Sequence, residues 1–354
     1  MLKAGFKKYT LNFINPAATS RGVYSLRDSW FVFLHDTDQP EICGVGECAP
    51  LPGLSPELDS DFEKKLADLC HDPQSINERL PEGLDGLSSI QMGMETACRD
   101  LFVAGGTKRF IENEFTSGQR GIPINGLIWM GSVSFMEKQY QDKIREGYDC
   151  IKIKIGALDF PTELAWLREI RRQYPPDTLE IRLDANGAFT MEEAKKNLHH
   201  LSGLAIHSIE QPLMAGQWEN MEILARENPI PIALDEELIG VESLQEKERL
   251  LQQIQPAYLI LKPSLHGGFK GCQEWIDLAQ KQNIAWWVTS ALESNIGLNA
   301  IAQWTSSLSN PLPQGLGTGR LFTNNFPSPL YIEGSELKYR KDGCFDLSLL
   351  EWGR

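Results

Sequence analysis

Apolar, β-forming runs recur along this chain at a nearly constant spacing. The runs at 122–125, 150–155, 181–184, 205–210, 231–235, 258–262 and 285–290 end 30, 29, 26, 25, 27 and 28 residues apart, and a helical pattern follows each. One of those helices opens on Thr190-Met191-Glu192-Glu193, a capping box, and should run to about His200. A strand, a helix and two turns take up about that many residues, and seven or eight such units close a parallel barrel. The alternative is an open doubly wound sheet. That architecture binds ligands at a switch point, often behind a Gly-rich phosphate turn. The nearest match, 315–319, has neither a preceding strand nor a following helix and reads as a loop beside a short eighth strand. The expected fold is α/β, a TIM-type (β/α)7β barrel over residues 121–322.

Residues 1–120 follow another order, strands first and helices after. The first residues form a candidate strand, 30–34 and 41–48 a hairpin, and 49–54 an unusually apolar loop. Ser55-Pro56-Glu57 predicts a helix start with Ser55 as N-cap, running to about Cys70. A second helix fits 88–104 and stops at Gly105-Gly106. This is an α+β domain, and the tail, 323–354, should return to pack on it.

Composition narrows the function. The chain has 34 basic and 48 acidic residues, a net charge of −14, which argues against nucleic-acid or anionic-membrane partners. No run of about 18 apolar residues could span a membrane. Residues 1–13 lack the apolar core of a signal peptide. The seven cysteines are odd in number and none are paired at two-residue spacing, which suits reduced thiols in a cytoplasmic protein.

The charged residues at the strand ends carry the chemistry. A strand buried on both faces should be nearly all apolar. Here Lys152 and Lys154 alternate with Ile151, Ile153 and Ile155, so period-two geometry points both lysines into the barrel. The next three runs end in Asp184, Glu210 and Asp235, which would be neighbours around the barrel mouth. They read either as helix caps and salt bridges or as the oxygen ligands of a divalent cation, Mg2+ or Mn2+ rather than zinc. Lys262 ends the sixth run on the far side of the acids, either reaching out to solvent or facing the lysine pair across a ligand. Such a layout suits removal of a proton α to a carboxylate, with cations stabilising the charge that develops. Lys154, nearer the strand end, is the better candidate base, and neighbouring cations should lower its pKa.

These motifs, Lys152-Ile153-Lys154, Asp184-Ala185-Asn186, Glu210-Gln211-Pro212, Asp235-Glu236 and Lys262, resemble those of the enolase superfamily, in its muconate-lactonizing subgroup. Gly44-Val45-Gly46-Glu47 and the loop 49–56 resemble the specificity segment of that family's capping domain. The segments 46–57 and 290–297 are closest to a branch that dehydrates a hydroxycyclohexadiene carboxylate to an aromatic acid for menaquinone synthesis. The resemblance implies a Mg2+ site at Asp184, Glu210 and Asp235. It makes Lys154 the base and then the acid for the departing hydroxyl, Lys152 the carboxylate-orienting group and Lys262 the stabiliser on the opposite face. It implies that Asn186 and Glu236 hold these groups in place.

Around this centre, Leu54 and the apolar loop would cover the barrel mouth and exclude water. Arg21 could pair with a substrate carboxylate or simply be a surface arginine. Ser290 and Glu293 either cap a loop or line the pocket. His266 reads as a turn residue, and Trp286 and Trp287 as barrel packing. The expected partner is a small-molecule carboxylate, and self-association stays open. Rival readings are a cycloisomerase, an N-acylamino acid racemase or a dipeptide epimerase with the same lysines and metal. A Schiff-base aldolase and a non-catalytic carboxylate-binding barrel are the others.

Overall fold

The computed structural model describes residues 1–19, 22–227 and 229–350. Three antiparallel strands open the chain: β1 (Leu2–Thr19), β2 (Gly22–Asp36) and β3 (Gln39–Cys48). Three helices follow: α1 (Phe62–His71), α2 (Ile76–Glu82) and α3 (Ser88–Phe102). Trp30, Val32 and Leu34 of β2 alternate inward onto Phe62, Leu66, Ile90 and Met94. Where β3 crosses α3 at Gly46 and Gly93, the two backbones meet without side chains between them. A Cβ at Gly46 would lie 1.9 Å from the Gly93 carbonyl oxygen, and one at Gly93 would lie 2.4 Å from Cys48 Sγ, so both positions require glycine.

The expected first helix starts late. The Ser55 hydroxyl accepts from Leu51 N at 2.8 Å, and the Glu57 carboxylate accepts from Ser89 N at 2.7 Å. Both residues bind elsewhere rather than capping their own helix, which begins at Phe62 behind Asp61.

The second half alternates strand and helix. After β4 (Ile122–Pro123) come β5 (Gly126–Ile128), α4 (Val133–Arg145), β6 (Cys150–Lys154), α5 (Phe160–Gln173), β7 (Glu180–Asp184), α6 (Met191–Leu201) and β8 (Ser208–Glu210). Then follow α7 (Trp218–Glu227), β9 (Ile232–Leu234), α8 (Leu244–Ile254), β10 (Tyr258–Leu261), α9 (Gly268–Lys281), β11 (Ala285–Val288) and α10 (Asn295–Ser307). Strands β5 to β11 form one curled parallel sheet in sequence order. Its two edges are joined through Gln314 and Gly315, which bridge to Ile124 and Thr289, so the eighth stave is two residues long. Side-chain caps start several helices: Ser132 accepts from Phe135 N, Asp159 from Thr162 N, and Thr190 forms the expected capping box with Glu193.

Two expectations change here. The run 122–125 is not the first barrel strand. Ile122 and Pro123 pair antiparallel with the hairpin of β12 (Leu330–Glu333) and β13 (Glu336–Tyr339), and the barrel strand begins at Gly126. An apolar edge pairs equally well in either direction, so its pattern did not distinguish them. The tail therefore divides. Its hairpin joins Ile122, while Phe326, Phe345, Leu347 and Leu350 pack on Phe31 and Phe33 of the N-terminal sheet. Among the described residues no helix is long and apolar enough to cross a membrane.

Inside the barrel, Ala233, Ile260 and Trp287 pack together, and the Arg182 guanidinium stacks 4.1 Å from the Trp287 ring. Trp286, by contrast, joins the large outer core between strands and helices. A separate cluster seals the mouth: Leu11, Phe13, Leu51, Ala291, Leu292 and Phe322, with Tyr24, Leu54 and Trp129 at its margin.

Candidate active site

The parallel register aligns the charges. Lys154 pairs with Asp184 across β6 and β7, and Asp184 pairs with Glu210 across β7 and β8. Asp235 and Lys262 each follow the last residue of their strands, β9 and β10. Lys152, Lys154, Asp184, Glu210 and Asp235 are buried, and Lys262 keeps 13% of its side chain exposed.

Lys152 Nζ donates to Glu210 Oε1 at 2.6 Å and lies 2.9 Å from Asp184 Oδ2. Lys154 Nζ donates to Asp184 Oδ2 at 2.8 Å and to Asn186 Oδ1 at 2.6 Å. Lys262 Nζ donates to Asp235 Oδ2. Asn186 Nδ2 in turn donates to Glu236 Oε1 at 3.0 Å. Lys154 Nζ also sits 5.7 Å from the centre of the Trp129 ring. The strand order β11-β10-β9-β8-β7-β6-β5 puts Lys262 four staves from Lys152 and Lys154, on the opposite wall of the barrel.

Burial works against all of these charges, and their neighbours decide the outcome. For Lys152, burial favours the neutral amine, but Asp184, Glu210 and Asp235 outweigh it and hold the ammonium above its usual pKa. Lys262 is raised in the same way, chiefly by Asp235. Burial opposes ionised Asp184, but Lys152 and Lys154 hold it well below the carboxylate range. Asp235 is lowered against the same burial penalty by Lys262. Glu210 goes the other way. Burial first, and then Asp184, push it well above the usual range despite Lys152.

Two observations fit a divalent cation at this trio. Asp235 Oδ1 is buried without a hydrogen-bond partner, and the donors are hard carboxylate oxygens on three adjacent strands. The acids are engaged by ammonium groups, and among the described residues no three acidic, cysteine or histidine side chains form a ready-made metal cluster. An ion would compete with the lysines for these oxygens.

A cavity of about 370 Å³ opens above the charges. Lys152, Lys154, Lys262, Asp184, Asn186 and Glu236 line its floor, while Glu210 and Asp235 lie beneath it. Tyr24, Leu51 and Leu54 form one wall, and Ser290, Ala291 and Leu292 another. Leu54 and Ser290 both line the cavity, and the Ser290 hydroxyl, 2.6 Å from that of Thr318, also accepts from Leu292 N at 3.4 Å. Glu293 does not line the cavity. It accepts from Ser264 Oγ at 2.6 Å and Ala291 N at 2.8 Å, and so binds two loops beneath the mouth. Arg21 lies outside the described residues.

Three residues named in the sequence make contacts that their motifs did not foretell. His266 Nδ1 accepts from Lys262 N at 3.0 Å, and burial pushes the imidazole down to about 3, leaving it a neutral acceptor. Gln211 accepts from Asp235 N and Glu237 N and donates to Glu237, tying the loops after β8 and β9 together. Glu47, from β3, accepts from Ser294 N, Ser294 Oγ and Gly297 N at the start of α10. A Cβ at Gly297 would come within 2.8 Å of that carboxylate, which explains the glycine.

Comparison with known proteins gives consistent results. The family model described as enolase C-terminal domain-like matches residues 136–341. The o-succinylbenzoate synthase of Desulfotalea psychrophila is 41% identical, over 95% of this chain and 98% of that protein. The crystal structure of MenC from the same organism superposes with a TM-score of 0.83 at 38% identity, over 95% of this chain and 99% of that one. The L-Ala-D/L-Glu epimerase of Bacillus subtilis shares the fold, with a TM-score of 0.80 at 19% identity over 98% and 97% of the two chains.

Proposed function

The chain belongs to the enolase C-terminal domain-like family, and from that membership we propose that it is an o-succinylbenzoate synthase, dehydrating 2-succinyl-6-hydroxy-2,4-cyclohexadiene-1-carboxylate. One observation carries the chemistry: Lys152 and Lys154 face Lys262 across a single cavity, with the three strands that carry the acid trio between them. The reading is supported by 41% identity, over nearly the whole of both chains, to a protein of that name.

In this mechanism Lys152 orients the ring carboxylate. Lys154, as the free amine, takes the α-proton, and the C–H electron pair moves into the carboxylate. Lys262 stabilises the enediolate charge from the other face. The new ammonium of Lys154 then gives its proton to the hydroxyl on the same face, which leaves as water, a syn elimination that completes the aromatic ring. Leu51, Leu54 and Trp129 keep bulk water off the reacting carbon. A divalent cation held by Asp184, Glu210 and Asp235, Mg2+ or Mn2+, would supply electrophilic stabilisation of the carboxylate charge. The substrate is a small carboxylate, and the free state of all seven cysteines suits a cytoplasmic enzyme.

A second reading, racemisation or epimerisation, follows from the same two-sided lysines, because one could take a proton and the other return it. The segment 315–319 argues against a dipeptide substrate, since it carries no acid to hold an ammonium. Loss of absorbance of the cyclohexadiene substrate on adding enzyme tests the first reading. Rapid α-deuterium exchange of an N-acylamino acid in D2O, with no dehydration of the cyclohexadiene, would favour the second.

A further inference from the structure

Arg27 leaves β2 toward the barrel and is 1% exposed. Among the described residues its guanidinium is in salt-bridge contact with no carboxylate. Glu293 and Glu47 act on it only at longer range, and burial, the largest influence, lowers its pKa. Its donors go to backbone carbonyls instead. Nη2 donates to Ala49 O at 2.6 Å and Ala291 O at 3.2 Å, Nη1 to Pro50 O, and Nε to Leu292 O at 3.3 Å.

Two of these carbonyls begin the apolar loop that continues into Leu51 and Leu54. The other two belong to the loop after β11. Both loops line the cavity. One guanidinium therefore joins the two walls between which a substrate must fit. Leu292 stands in the left-handed region, with φ of +63°, an unfavourable backbone for a branched side chain. Its carbonyl is one of those Arg27 holds.

A buried cation among neutral carbonyls is a costly way to fill space, and an apolar side chain of similar volume would serve packing better. What the guanidinium adds is geometry, a rigid planar fork that meets several acceptors at fixed angles. We propose that Arg27 is a positioning residue, which sets the distance between the 49–54 and 291–293 loops and so determines how well a carboxylate substrate fits. The kinetic part of this inference rests on the dehydration reading.

The test compares Arg27→Lys and Arg27→Met. Lysine keeps the charge but offers a single point of donation, and methionine keeps the bulk without donors. The clamp requires KM to rise about tenfold or more in Arg27→Met and less in Arg27→Lys, with kcat within about threefold of wild type. Amide hydrogen exchange at 51–55 and 291–294 should quicken together in both variants, while β6 to β8 stay as protected as in wild type. A residue that only packs would lower the melting temperature and leave KM unchanged in the folded fraction. That result, or exchange that quickens in one loop alone, overturns the proposal. If Arg27→Met does not fold, Arg27→Lys decides by the same criteria. If the wild-type enzyme leaves the cyclohexadiene untouched, the dehydration reading falls, and the exchange result alone decides the clamp.

Discussion

The Lys154 ammonium donates to the side-chain carbonyl of Asn186 at 2.6 Å, and Asn186 holds that carbonyl in place from a left-handed backbone with φ of +45°. Asparagine tolerates this conformation better than most side chains. Its amide is anchored in turn by Glu236, so a relay of two polar side chains aims the proposed base.

Asn186→Gly keeps the backbone conformation and removes the aim. Activity should fall about 10- to 100-fold with little change in melting temperature, the size typical of losing an orienting partner. Steady-state kinetics beside a thermal melt checks this. Full activity would show that Lys154 is aimed by other contacts.

Chelation with EDTA should abolish turnover, and added Mg2+ or Mn2+ should restore it. Calorimetric titration of the chelated protein with Mg2+ should then give one site in wild type, weakened about 10-fold or more in Asp184→Asn. An unchanged isotherm in that variant would remove Asp184 from the site.

Glu57, which does not line the cavity, makes stability depend on pH. Burial pushes its carboxyl from 4.5 up to about 7 in the folded chain. The native state thus holds this proton more tightly than the unfolded chain does. Stability from this group is fully present below about pH 4.5 and is lost as pH rises through 7. At about 1.4 kcal/mol for each tenfold change in proton affinity the total is on the order of 3–4 kcal/mol. Relative to wild type, Glu57→Gln should therefore gain stability between pH 5 and 8 and not below. Parallel melts across that range check it, and a wild-type-to-variant difference that does not vary with pH would contradict it.

The barrel was legible because buried parallel strands are short apolar runs, and Lys152, Lys154, Asp184, Glu210, Asp235 and Lys262 interrupt that rule at the strand ends. The strand starts were less legible. The run 205–210 shrinks to Ser208–Glu210 because Ala205 adopts a left-handed turn. Glu293 read either as a loop cap or as a pocket residue, because a polar group after a barrel strand has the same appearance whether it faces a ligand or, as here, Ser264 and the Ala291 amide. The Arg27 clamp left no signature at all. Its acceptors are backbone carbonyls at Ala49, Pro50, Ala291 and Leu292, and a carbonyl is identical in every residue.

The most direct measurement follows the ultraviolet absorbance of the cyclohexadiene substrate with wild type and Lys154→Ala side by side, both confirmed folded by circular dichroism. Rapid conversion by wild type and a rate about 10³-fold or more lower in the variant is the result this mechanism requires. Conversion by Lys154→Ala within about tenfold of wild type would mean that another group takes the proton, and the proposed chemistry would be wrong.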